Sequence, residues 1–150
     1  MRKKIESLKT LSRIYESELQ LVRADLMRAN KLKAQADSAF ENATEKVSDL
    51  EGQLRALSEE NKVLSIDSIE LAKIYLAQQR AVQADKHKTK LAVDQLQSEL
   101  ANTATQKKQK LQLVEKFQEK KQREFDIYYY RKLSQSLEEL WLQRRRTDNE

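Results

Sequence analysis

Steps of three and four residues, taken alternately from Ile5, meet Ile5, Leu8, Ser12, Tyr15, Leu19, Val22, Leu26, Ala29, Lys33, Ala36, Phe40, Ala43, Val47, Leu50, Leu54, Leu57, Asn61 and Leu64. Only Ser12, Lys33 and Asn61 are not apolar, so a heptad repeat with a at Ile5 and d at Leu8 runs through the first half of the chain. A sustained period of 3.5 residues predicts a helix that supercoils left-handedly with a partner helix. The pattern places this helix at about residues 3–64, with a length of about 90 Å. Lys33 and Asn61 fall at a, where a polar residue weakens the seam but sets register and orientation. Ala29, Ala36 and Ala43 fall at d and let a partner backbone approach closely. Gly52 falls at f, facing solvent, where it costs about 1 kcal/mol of helix propensity.

The repeat stops after Leu64. Asp67 followed by Glu70 reads as a capping box, Ile66 with Leu71 as a hydrophobic staple, and Ser65 as an alternative cap. A turn is therefore expected at about residues 65–67 and a second helix at about 68–146. The short connection favours an antiparallel pair. The second half is less regular. Leu71, Ile74, Tyr75, Ala81 and Val82 form one apolar stripe and Leu91, Leu96 and Leu100 another. Ala101 to Lys110 lacks large apolar side chains, and Leu111, Val114, Phe117, Phe125 and Tyr128 resume the pattern. No single register covers all of these, which predicts a stutter or local unwinding. A turn near residue 66 makes the numbers of facing residues total about 132. Lys33 then meets Glu99, Phe40 meets Ala92, and Ala29 and Ala36 face Thr103 and Leu96. The expected fold is all-α, one long two-helix antiparallel coiled-coil hairpin over residues 1–150.

Composition supports few, long elements. The chain has one Gly, no Pro and no Cys among 150 residues, and 35% of it is charged. Without Cys there are no disulfides, thiolate chemistry or Cys-ligated metals. No apolar run is long enough to cross a membrane, and Glu6, Glu16 and Glu18 interrupt any signal-peptide core after the basic Met1-Arg2-Lys3-Lys4. A cytoplasmic protein is expected. The net charge is +5, but acids and bases alternate, as on a solvated helix, so nucleic acid is not an expected partner. A single Gly excludes a phosphate-binding loop. His87 reads as an exposed helical residue. Glu59-Glu60 and Glu138-Glu139 point apart on a helix and read as solubilising charge rather than an acid/base pair. No catalytic, cofactor or metal residues are assigned, and no enzyme activity is expected.

What remains is protein binding. In the expected register, residues after about 131 have no partner in the first helix. Leu133, Leu137, Leu140 and Trp141 share one face of that overhang, and Arg144, Arg145 and Arg146 follow. An apolar stripe with no intramolecular partner calls for another protein. Phe125 and Tyr128 are expected to pack against Ile5 and Leu8. Of the three consecutive tyrosines, Tyr129 or Tyr130 must then point outward, where aromatics beside arginines commonly anchor interfaces.

Two stretches carry a family resemblance. Glu59-Glu60-Asn61-Lys62-Val63-Leu64-Ser65-Ile66-Asp67-Ser68-Ile69 resembles the hairpin turn of InvI-like proteins. Glu115 through Arg123 and on through Leu137-Glu138-Glu139-Leu140-Trp141 resembles the C-terminal helix of the FliJ and YscO/InvI stalk proteins of type III secretion and flagellar export. The resemblance covers the chain loosely and about a third of it by residue. It implies a central stalk, similar to the coiled coil of a rotary ATPase gamma subunit, at the cytoplasmic face of the bacterial inner membrane. The end carrying both termini would enter a hexameric secretion ATPase through Leu133, Leu137, Leu140, Trp141, Arg144, Arg145, Arg146, Tyr129 and Tyr130. The turn end would face a membrane export gate, with Ile74 and Ala81 near that contact. Secretion chaperones bind some members. The alternative is a homodimeric structural coiled-coil tether or scaffold.

Overall fold

A computed structural model describes residues 1–59 and 66–149. The chain is an all-α hairpin of two long helices packed against each other, α1 (Arg2–Glu59) and α2 (Ile66–Asp148), with no strand among the described residues. Helix α2 starts at Ile66, slightly earlier than the capping pattern suggests. Asp67 stands in the first turn, where its charge complements the helix dipole. The capping role of Ser65, the heptad positions Asn61 and Leu64, and the side chain of Ile66 in the expected staple lie outside the described residues.

Contacts divide the chain into two units, Met1–Leu21 with Ala104–Glu150, and Val22–Thr103. In both, α1 uses the heptad read from the sequence. Within the first unit, Ile5 and Leu19 are buried and Leu8, Ser12 and Tyr15 half-buried. Within the second, Ala29, Ala36, Ala43 and Val47 are buried, and Val22, Leu26, Lys33, Phe40, Leu50 and Leu54 half-buried. A strictly repeated stripe can stay in contact only with a helix that coils around it, so apolar burial and period enforce each other.

Helix α2 differs from expectation in two ways. Its buried and half-buried positions in the second unit include Ile69, Ala72, Leu76, Gln79, Gln83, Lys90, Val93, Gln97 and Leu100. In the first unit they include Ala104, Lys107, Leu111, Val114, Gln118, Lys121 and Phe125. The spacing alternates three and four from Ile69 to Gln83 and again from Lys90 to Phe125, with exposed Lys86 at the step between, and Asp94, Ala101, Thr103, Gln122 and Glu124 are half-buried beside this line. The residues read as α2's apolar stripe point outward instead. Leu71, Ile74, Tyr75, Val82, Leu91, Leu96, Phe117 and Tyr128 are all exposed. Leu100, Leu111, Val114 and Phe125 do fall in the seam.

Away from the turn, facing residues total less than 132. Asn30 pairs with Gln97, Lys33 with Asp94, Asp37 with Lys90 and Thr44 with Gln83, and each pair of numbers totals 127. Glu18 with Lys107 totals 125, and Glu51 with Arg80, near the turn, totals 131. Lys33 therefore meets Asp94 rather than Glu99. Phe40 meets the ring of His87 at 5.2 Å and the Lys90 ammonium at 5.1 Å, not Ala92.

Ala29, Ala36 and Ala43 explain this choice. Each precedes a side-chain oxygen acceptor, Asn30, Asp37 or Thr44, one heptad apart. Gln97 Nε2 donates to Asn30 Oδ1 at 3.3 Å, and Gln83 Nε2 donates to Thr44 Oγ1 at 3.2 Å. Lys90 Nζ stands 3.9 Å from Asp37 Oδ1 as an ion pair. A stem that reaches the residue after an alanine lies across that alanine. Asp37 Oδ1 is itself buried and accepts no hydrogen bond among the described residues, and the Lys90 ammonium stands opposite it.

Candidate functional site

The first unit carries the longest unpaired segment. With facing numbers totalling about 126, Phe125 lies level with Met1. Every residue from Asp126 to Asn149 is exposed. The overhang thus begins at residue 126, not after 131, because of the register shift. Its helix continues to Asp148 without a packing partner. Exposures of 59% at Leu137, 61% at Leu140 and 62% at Trp141 show that none of the three folds back as core. Leu133 and Leu142 are also exposed. Leu137, Glu138, Trp141 and Leu142 line a shallow, open recess.

The aromatic cluster differs from expectation at one residue. Phe125 is half-buried at the end of the seam, but Tyr128 is exposed and does not belong to it. Tyr129 stacks on Phe125 with ring centroids 6.4 Å apart, and Tyr130 meets Tyr129 edge-on at 6.2 Å. Both Tyr129 and Tyr130 are exposed, so two of the expected interface aromatics stand on the surface of the overhang. The Lys132 ammonium lies 5.0 Å from the Tyr128 ring centroid. Hydrogen bonding with Tyr128, and then its charge, raise Lys132 above the ordinary lysine range. The Arg145 guanidinium lies 5.1 Å from the Trp141 ring, a cation–π contact that steadies the indole in water. Arg144 and Arg146 are exposed beside it. The segment brings the expected residues together on one helix, with the aromatic and arginine composition that dominates interface anchors.

The second unit carries a smaller exposed apolar surface. Leu71, Ile74, Tyr75 and Val82 stand outward on the early part of α2, and Ala81 is exposed with them. Ile74 and Ala81 share a face, being seven residues apart. Leu71 and Tyr75 enlarge the surface. Reading them as seam residues concealed this, and the period-2-per-heptad alternation of Ile69, Ala72, Leu76 and Gln79 is the signal that separates the two faces.

Lys9, Glu115, Gln118, Glu119, Gln122 and Arg123 line an open groove in the first unit, with balanced charge and no buried reactive group. Among the described residues no group of three His, Asp or Glu side chains is placed to hold a metal ion, and no helix is long and apolar enough to cross a membrane. No family model, curated protein or solved structure matches the chain.

Proposed function

We propose that this chain is a non-enzymatic central stalk of a type III secretion system. In this reading the segment from Asp126 onward enters the ring of a hexameric secretion ATPase at the cytoplasmic face of the bacterial inner membrane. It promotes assembly or turnover of that ring. The surface at Ile74 and Ala81, with Leu71 and Tyr75, meets an export gate protein, and secretion chaperones are further partners.

The observation that carries the proposal is the exposed, fully helical C-terminal segment. It has a Leu/Trp stripe, three arginines and no packing partner among the described residues. A preformed helix loses little backbone entropy when it docks. Trp141, buried in a partner, contributes about 2 kcal/mol, as tryptophan anchors commonly do. Arg144, Arg145 and Arg146 steer the segment toward an acidic surface. The resemblance of the turn and the C-terminal helix to the FliJ and YscO/InvI proteins supplies the identity of the partner.

The test replaces Leu137, Leu140 and Trp141 together with Ala and measures stimulation of the cognate ATPase. Stimulation and secretion are expected to be lost while helicity and melting stay nearly unchanged, because the seam ends at Phe125. Full stimulation by the triple variant would remove the proposal.

A further inference from the structure

The overhang has its own heptad, on a different face from the seam. Tyr130, Leu133, Leu137, Leu140 and Arg144 are spaced three, four, three and four apart, and Asp126 precedes Tyr130 by four. At 3.6 residues per turn this stripe is rotated by more than about 100° from the line of Val114, Gln118, Lys121 and Phe125 that meets α1. A helix docking on the stripe therefore approaches without displacing α1.

We infer that the stripe pairs antiparallel with the same stripe of a second copy of this chain. The sequence is self-complementary about Gln135. Leu133 meets the second copy's Leu137, Tyr130 meets its Leu140, and Asp126 meets its Arg144. Each contact occurs twice by symmetry. These are the a-to-d layers of an antiparallel coiled coil. The flanking positions agree as well. Ile127 meets the second copy's Trp141 on one side, and the small Ser134 and Ser136 lie near the axis, where the backbones approach most closely. Ile127, Tyr130, Leu133, Leu137, Leu140 and Trp141 are all exposed in the single chain, and pairing covers them. Asp126 accepts a hydrogen bond from Gln122 and keeps an oxygen for the arginine.

Residues 126 to 144 span about 27 Å, so the contact is at the small end of specific interfaces, near or below about 1,200 Å². It is therefore reversible. It hides the stripe in the free protein and yields it to a tighter partner. The inference goes beyond the proposed function and stands without it.

Sedimentation of the full chain over a range of concentrations tests it. A dimer that dissociates on dilution is expected. Asp126→Arg and Arg144→Asp should each weaken dimerisation about tenfold, because each turns two attractive pairs into two like-charged ones. An equimolar mixture of the two variants should recover it, since all the charges are then opposed correctly. Chains with Leu133→Cys mixed with chains carrying Leu137→Cys should form a mixed disulfide in preference to either symmetric one. A chain that stays monomeric overturns the inference, and so does a dimer insensitive to both charge variants or one linked preferentially through Leu133→Cys alone. Monomers that instead sediment with anionic lipid vesicles would assign the stripe to a membrane surface and also overturn it. ATPase stimulation is scored separately, so failure here leaves the proposed function standing.

Discussion

At Gly52 no atom lies within 4 Å of where a Cβ would stand, and the residue sits inside α1. The heptad had placed it at f, facing water, and that is where it stands. Alanine there relieves the backbone entropy of glycine without a clash, so Gly52→Ala should raise stability by about 0.5–1 kcal/mol in urea unfolding. Leu19 is the opposite case. It is 3% exposed, the most enclosed large side chain of the first unit. Leu19→Ala should lower stability by about 2–3 kcal/mol through lost burial and the cavity left behind. A loss below half of that would mean that the seam near Glu18 and Lys107 closes over the gap. Both residues were legible in the sequence because α1 obeys one rule from Ile5 to Leu54, although the d-position Leu57 is exposed. Tyr128 was not, because an aromatic at the end of a helix carries the same weight in a pattern whether it ends a seam or stands beyond it.

At the scale of elements, the two helices were unequally legible. On α1 every a and d position from Ile5 to Leu54 is buried or half-buried while Ile14, Leu21, Met27 and Leu32 are exposed, so the period reveals the seam. On α2, large apolar residues face out while Gln79, Gln83, Lys90, Gln97, Lys107, Gln118 and Lys121 face in. A hydrophobicity pattern scores a lysine by its charge, whereas packing uses its four methylenes. That one fact accounts for the missed stripe and for facing pairs that mostly total about 127. The alanine rungs make it testable. Lys90→Met keeps the stem and removes the ammonium, which faces Asp37 and the Phe40 ring, while Lys90→Ala removes both. The Met variant should stay within about 0.5 kcal/mol of the parent, since a half-exposed ion pair contributes little. The Ala variant should lose about 1 kcal/mol, and Ala at Gln83, Lys90 and Gln97 together about 2–3 kcal/mol. Equal losses for Lys90→Met and Lys90→Ala would show that the Asp37 pair, not the stem, holds the rung.

At the scale of the molecule, the hairpin and the unpaired C-terminal helix were both legible, since a long heptad demands a partner and the chain offers one. The extent of the overhang was not, because its start depends on the register, and the register depends on stems that read as polar. Crosslinking examines that arrangement directly. The chain has no native cysteine, so introduced pairs report without background. Glu18→Cys with Lys107→Cys samples the first unit, and Asn30→Cys with Gln97→Cys samples the second, at positions whose native side chains touch. A short bis-thiol reagent should close both pairs within one chain at low protein concentration. Ile5→Cys with Tyr128→Cys, the pair that a total near 132 would favour, should react far more slowly, because Tyr128 stands beyond the seam with half its surface in water. Fast closure of the Ile5 and Tyr128 positions would restore the longer register, and with it a shorter overhang starting near residue 132. Links found only between chains would mean that α1 pairs with another copy, as in a tether. In that case the seam itself, rather than the C-terminal helix, would be the surface through which the protein meets its partner.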